Sequence, residues 1–280
     1  MTILHLIRSY GNQIPGGAEI NIENLVNSIY RTQKTISIVL SDNGVWIFNK
    51  NSRKLEKVEN ISKKIFILKL VFRRFKKPNN IHVHSNGYII FLGYCISLLI
   101  KAKLLIKITR IADDSLISRN NFFSKNLRLL LKRILLKLIC QSNFVVLHCL
   151  TQSAKLASST FTKNIVVFPN LTKSSSKTKI IKDEKTILIT SRMIKRKNID
   201  HTLDQIIIHN IHNEYKVMII GDGPELTKLK SKYKRYKNII FKGLINSEEI
   251  SHYYQKSEFF INLSSSEGMS NALIEAMVNG

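Results

Sequence analysis

Two glutamates eight positions apart, Glu267 and Glu275, bracket the run Gly268-Met269-Ser270-Asn271. An apolar strand pattern over Phe259–Leu263 precedes them, and a helical pattern over about 270–279 follows. Small residues with free N–H groups at a helix N-terminus form an anion site. A carboxylate can accept hydrogen bonds from two vicinal hydroxyls of a sugar or a ribose. The arrangement suits a ligand that is hydroxyl-rich at both ends with phosphates between. Helix capping explains the same residue types equally well, since Ser or Asn before a helix with Glu in its first turns is common.

A second group is basic. Arg192 and Lys197 lie in the stretch Ser191-Arg192-Met193-Ile194-Lys195-Arg196-Lys197-Asn198, directly after the strand pattern Thr186–Thr190. Arg as a fork and Lys as a point charge can converge on one diphosphate and stabilise it as it departs. A solvated basic turn is the commoner fate of such a cluster. Its place at the carboxyl end of a strand favours function. A third group, Pro15-Gly16-Gly17-Ala18-Glu19, follows the first strand; paired glycines let backbone approach a phosphate or sugar, although taken alone the motif fits a plain tight turn better. The spacing is not that of a dinucleotide fingerprint. His82 and His84 alternate on a strand and share a face, with no third metal ligand in view.

The elements that must position these groups follow a repeating strand and helix pattern, which predicts parallel sheets flanked by helices. Strands are expected at Ile3–Ile7, Thr35–Leu40, Ile65–Leu68, Ile81–His84, Leu104–Ile108, Phe144–Leu147 and Ile165–Phe168. A helix is expected at about 18–30, and the apolar segment Gly87–Ile100 reads as a buried helix, too short at about 14 residues to span a bilayer. The polar stretch Leu171–Lys185 reads as a linker between a domain at 1–170 and another at 186–280. In the second, strands are expected at Thr186–Thr190, Lys216–Ile220, Ile239–Phe241 and Phe259–Leu263, with helices at about 198–210, 224–235, 247–255 and 270–279. Ligands of open parallel sheets bind beyond the carboxyl ends of the strands, where every motif above lies.

Composition narrows the classes further. The net charge is +25, of which +19 lies in residues 1–170. Such a field attracts phosphates, anionic lipid or nucleic acid, although a lysine-rich proteome produces the same bulk charge. No base-stacking aromatic array or recognised module supports a nucleic-acid partner. The segment Phe122–Ile139 reads as a basic amphipathic helix suited to an anionic membrane surface, or to a core with a solvated basic face. Cys95, Cys140 and Cys149 show no pairing or ligand spacing, which fits a reduced, cytoplasmic protein. The first residues lack a charged leader followed by an apolar stretch with a cleavage site, so no signal peptide is expected. A nucleophile elbow, a Walker sequence and a His-Glu-x-x-His pattern are all missing from the sequence.

In order along the chain, Gly-Gly-Ala-Glu, Arg192-x4-Lys197, Gly221-Asp222-Gly223-Pro224 and Glu267-x7-Glu275 together make the chain resemble glycosyltransferase family 4. The resemblance is strong over about 185–280 and looser before. It implies a GT-B fold: α/β, two Rossmann-like parallel-sheet domains facing a cleft. It implies a retaining hexosyltransferase that moves a hexose-type sugar from a nucleoside diphosphate sugar to a saccharide or lipid-linked acceptor without a catalytic metal or other cofactor. By resemblance, Arg192 and Lys197 bind the diphosphate, Glu275 the ribose and Glu267 the donor sugar. Gly268, Met269, Ser270 and Asn271 cradle sugar and phosphate. Gly16 and Gly17 approach the diphosphate, Leu244 lies near the nucleobase, and Pro169-Asn170 matches a turn before the linker. Where the family often carries a His, this chain reads Thr109-Arg110-Ile111-Ala112-Asp113-Asp114. Arg110, Asp113 or Asp114 is the candidate there for contact with donor or acceptor, and His84, read with His82 as a strand-end polar pair facing the cleft, is a further acceptor-side candidate. Family members continue beyond the position of Gly280, so an incomplete second domain with an exposed sheet edge is expected. The implied setting is cell-surface polysaccharide or lipopolysaccharide biosynthesis, cytoplasmic or peripheral on the inner face of the plasma membrane. An inactive remnant and a GT-B sugar-nucleotide epimerase are the alternative readings.

Overall fold

The computed structural model describes residues 1–11, 17–59, 61–72, 77–84, 87–108, 134–172, 183–265 and 267–279. The chain divides into two compact units, Met1–Leu171 and Thr172–Gly280.

The first unit is built on β1 (Thr2–Leu6), α1 (Gly17–Gln33), β2 (Ile36–Ser41), β3 (Gly44–Asn49), β4 (Lys54–Lys57), α2 (Lys63–Val71), β5 (Asn80–Val83), α3 (Tyr88–Ile100), β6 (Lys103–Ile108), helical residues 134–140, β7 (Val145–Cys149), α4 (Gln152–Ser158) and β8 (Ile165–Val167). Its eight strands run β4-β3-β2-β1-β5-β6-β7-β8. Six pair in parallel, while β3 and β4 extend one edge as antiparallel hairpin strands. Period-two alternation sends Leu4, Leu6, Ile81, Val83, Leu104 and Ile106 to the face covered by α2 and α3. Gly93 lets α3 approach closely, because a Cβ there would meet Val83 Cγ2 at 2.7 Å.

Two expectations change. Ile65–Leu68 is not a strand but the middle of α2. The Ser62 hydroxyl caps that helix by accepting from the Ile65 amide, and Phe66 and Leu70 form its buried stripe at i, i+4 spacing. A short unbroken apolar run fits either state, and the cap decided. The segment read as a buried helix, α3, buries only one side and exposes Tyr88, Phe91, Leu98 and Leu99. Strands β3 and β4 go beyond that expectation: β3 is an unbroken apolar run, Val45–Phe48, with no period-two alternation, and β4 is mostly polar and exposed.

The second unit holds β9 (Asp183–Thr190), a 3₁₀ turn (Lys195–Lys197), α5 (Ile199–Ile208), α6 (Ile211–Glu214), β10 (Lys216–Ile220), α7 (Leu226–Lys232), β11 (Ile239–Gly243), α8 (Ser247–Lys256), β12 (Ser257–Phe260) and α9 (Asn271–Asn279). Four parallel strands run β11-β10-β9-β12. Alternate residues face opposite layers. Ile189, Val217 and Ile219 pack with Ile199, Leu203 and Tyr233, whereas Leu188, Met218 and Ile220 pack with Ile250, Tyr254 and Ala276. Among the described residues, no helix is long and apolar enough to cross a membrane.

The other face of the first sheet is unusual. Under the α1 residues Ile22 and Val26, next to Val39, it buries His5, His82, His84, Lys107 and His148. Burial pushes the pKa of His5 down to about 3 and that of His148 to about 4, with the Lys107 charge adding to both, and lowers His82 and His84 as well. The folded state therefore holds neutral rings while the unfolded chain takes up protons below about pH 6.5. Stability from this layer is complete above that pH and is lost as pH falls toward the folded values, at roughly 1.4 kcal/mol per pH unit for each ring. Denaturant titrations from neutral pH to about pH 5 should show the first unit weakening steadily, before ordinary carboxylates titrate. A flat midpoint across that window would show that the rings are hydrated or already charged.

Candidate active site at the carboxyl edge of the second sheet

The basic loop and the loop after β10 are locked together by backbone. The amide of Ser191 donates to Ile220 O at 3.0 Å, Met193 N to Asp222 O at 2.8 Å, and Glu225 N to Met193 O at 3.0 Å. Gly221 and Gly223 make this approach possible. Their φ values are 138° and 151°, and a Cβ on Gly221 would lie 1.8 Å from Ser191 O, one on Gly223 2.6 Å from Met193 O. The Gly-Asp-Gly-Pro motif is thus a support for the residues around Arg192. The Arg192 side chain is exposed, and its guanidinium has no ion-pair or hydrogen-bond partner among the described residues.

Lys197 ends the 3₁₀ turn, and Asn198 in the left-handed region starts α5. The turn is tied to the loop after β12, because both the amide and the hydroxyl of Ser265 donate to Arg196 O, at 3.0 and 3.1 Å. On the far side, α5 is anchored by Tyr233, whose hydroxyl donates to Asp200 and Asp204. These restraints bring Lys197 Nζ onto Glu267 Oε1, with Arg196 Nη1 at 3.6 Å from Oε2. Burial works to raise the Glu267 pKa, but the Lys197 hydrogen bond and charge, Ser264 and Arg196 outweigh it and hold the carboxyl below its usual range. Glu267 is therefore an anion paired with the cation expected to meet phosphate.

Glu275 sits differently. Burial raises its pKa, only partly offset by a hydrogen bond from the Tyr254 hydroxyl at 3.1 Å. The same hydroxyl lies 2.6 Å from Thr190 Oγ1 at the end of β9. Tyr254 thus ties α8, β9 and α9 together at the point where the basic loop begins. Tyr254 and Thr190 were missed in the sequence because each is an ordinary core-type residue of its element; only the side-chain contact marks them. Ser270 is a cap: its hydroxyl accepts from Leu273 N at 3.4 Å and its carbonyl from Ile274 N at 3.2 Å. Capping and an anion site are compatible here, since Gly268, Met269 and Asn271 share that helix start.

Lys197 and Glu267 thus meet directly, Tyr254 links Glu275 to Thr190, and Arg192 follows Thr190 by two residues, all past the carboxyl ends of β9 and β12, with Gly268 to Asn271 in the same connection. Leu244 lies on the same edge, exposed just past β11, where Gly221 N donates to Gly243 O at 2.8 Å. In the first unit, Gly17 is the exposed first residue of α1. Gly16, Arg110 and Asp113 lie outside the described residues. His84 is buried and bonded to His5 rather than displayed on a described surface. The third histidine that spacing did not reveal is His5, brought in by β1 pairing with β5.

Gly221→Ala should force the two loops apart and cost about 1–3 kcal/mol in stability of the second unit, measured by chemical denaturation. Gly243→Ala is a control, for its Cβ would meet nothing within 4 Å. Equal losses in both would mean that φ strain, not the loop contact, is responsible.

Comparison with known proteins shows what the chain is similar to. Residues 171–280 match the family Glycosyl transferases group 1. The alpha-monoglucosyldiacylglycerol synthase of Streptococcus pneumoniae is 33% identical over 115 residues, covering 40% of this chain and 26% of the relative. The amylovoran biosynthesis glycosyltransferase AmsD of Erwinia amylovora is 30% identical over 152 residues, covering 50% of this chain and 43% of the relative. The chain thus spans less than half the length of these two relatives. The structure of Anabaena HepE in complex with UDP superposes over 100% of this chain and 79% of its own, with a TM-score of 0.64 at 15% identity. The α/β fold with Rossmann-like parallel sheets is the one found in GT-B glycosyltransferases. The match to the Glycosyl transferases group 1 family falls on the second unit of this chain.

Proposed function

We propose that the protein is a retaining glycosyltransferase that moves a hexose-type sugar from a nucleoside diphosphate donor to a hydroxyl of a saccharide or lipid-linked acceptor. The observation that carries this reading is the grouping of Arg192, Lys197, Glu267 and Glu275 on one carboxyl edge of the unit that matches the group 1 family. The Arg192 fork and the Lys197 ammonium take the diphosphate, and the start of α9 adds N–H donors. Glu275 accepts the ribose hydroxyls. In the free protein Lys197 neutralises Glu267. Diphosphate draws Lys197 away, and Glu267 is then free to accept sugar hydroxyls, so the pair couples donor binding to sugar positioning. The leaving diphosphate is stabilised by fixed cations as charge develops, with no metal ion in that role. An oxocarbenium-like centre attacked from the leaving-group face retains configuration.

Glycan synthesis at a membrane suits the first unit. Its helix α2 and the C-cap that follows expose Ile65, Leu68 and Phe72 beside Lys64, and helical residues 134–140 expose Ile134, Leu135 and Leu138 beside Lys137. Much of the basic segment Phe122–Ile139 lies outside the described residues. Apolar tips among lysines suit an anionic inner leaflet. The free Cys95, Cys140 and Cys149 fit a reducing, cytoplasmic setting.

Arg192→Ala should lower turnover of the nucleotide-sugar donor by about 10²-fold or more. Glu275→Gln should weaken nucleoside diphosphate binding by calorimetry. Unchanged donor turnover in Arg192→Ala would sink the assignment, and NMR of the product anomer decides retention. In sedimentation with vesicles, the chain should prefer anionic over neutral lipid, and Phe72→Ser should reduce binding. Equal partition to both vesicles would remove the membrane role.

A further inference from the structure

The buried face beneath α1 holds a constellation that the donor chemistry leaves unused. His5, His82 and His84 each present one ring nitrogen, and the three nitrogens lie within 4.8 Å of one another. Strand register brings them together. His5 and His82 are direct partners across β1 and β5, and His84 lies two residues beyond His82 on the same face.

Hydrogen bonding fixes which nitrogens are free. The Phe168 carbonyl can only accept, so His148 Nε2 donates to it at 2.9 Å. A neutral His148 then carries its lone pair on Nδ1, and His82 Nε2 donates there at 3.1 Å. His82 keeps a lone pair on Nδ1. His5 Nε2 faces Ser37 Oγ at 3.4 Å, while His5 Nδ1 and His84 Nε2 face each other at 3.0 Å. That gap must hold either one shared proton or a cation. Its width is near the roughly 3.4 Å edge of a tetrahedron with ~2.05 Å metal–nitrogen bonds. Outer ring nitrogens held by an imidazole and a hydroxyl are the second shell that orients metal-binding histidines. Burial keeps the rings neutral, which is the ligating form.

We propose that His5, His82 and His84 form a structural site for a divalent transition metal of the zinc or cobalt class, with a fourth position for water or hydroxide. Bound there, the ion clamps β1 to β5 beneath α1. Imidazole donors suit zinc, copper, iron and nickel rather than magnesium or calcium. The cation on this face, Lys107, is held by Asn21 Oδ1 at 3.2 Å and Asn170 Oδ1 at 2.8 Å. The site lies wholly in Met1–Leu171 and uses none of the donor residues. With the ligands buried, loading accompanies folding.

The test uses the full chain without a histidine tag, unfolded with a chelator present, freed of it, and refolded with Co2+. Expected are stoichiometric Co2+ by elemental analysis, intense visible ligand-field bands of four-coordinate nitrogen ligation, and a raised melting temperature. His84→Gln should lose the bands, and His148→Gln should weaken binding by about 10-fold or more through the second shell. Wild-type chain that regains its native circular dichroism in Co2+ yet holds no ion overturns the proposal. So does a folded His84→Gln that binds as tightly as the wild type. Donor turnover measured in parallel separates this outcome from failure of the transferase reading.

Discussion

Backbone hydrogen bonds between the loops after β9 and β10 are the constraint on which the second unit depends. A loop carrying several cations would otherwise repel itself into solvent. Here it is held by amides donating to Ile220 O and Asp222 O, and by Ser265 donating to Arg196 O. Each bond spends no side-chain charge, so among the described residues Arg192 keeps its guanidinium unpaired. Glycines at 221 and 223 are the condition for that closeness, because any Cβ would overlap the opposing carbonyls. The geometry is thus set by sterics first and electrostatics second.

The two glutamates differ by environment rather than type. Glu267 faces Lys197 and Arg196, stays ionised and is half-buried. Glu275 lies deeper, with Tyr254 as its partner and burial raising its pKa. The first carboxylate is neutralised by a residue that a phosphate can take over, so it changes partner when an anion arrives. The second already receives a hydroxyl hydrogen bond, the interaction a ribose would extend. One domain thus prepares one acid to respond and another to recognise.

The first unit spends its polar residues in the core. Four histidines and a lysine occupy one sheet face where apolar side chains would pack more simply. Such a layer is tolerable only because its members bond to one another and to Phe168, Asn170 and Ser37. Among the described residues, the Asn21 amide nitrogen has no hydrogen-bond partner. A buried network of this kind ties stability to proton and metal chemistry.

Much of this protein was legible before any coordinates. Alternation of apolar runs with helical patterns determined parallel sheets flanked by helices, since period and strand length are local properties. The strands Thr186–Thr190 and Lys216–Ile220 and the helices on either side follow directly, as do the chemical types of Arg192, Lys197, Glu267 and Glu275. Local pattern failed where two states fit equally, as at Ile65–Leu68, where one capping serine made a helix. It also missed β3 and β4, whose stability comes from a neighbouring strand rather than their own alternation. Tertiary structure alone decided that Lys197 and Glu267, 70 residues apart, form a pair. It alone joined His5 to His84 across 79 residues. Spacing along a chain encodes a helix face or a strand face, but distance between strands is set by sheet order, which no local period records.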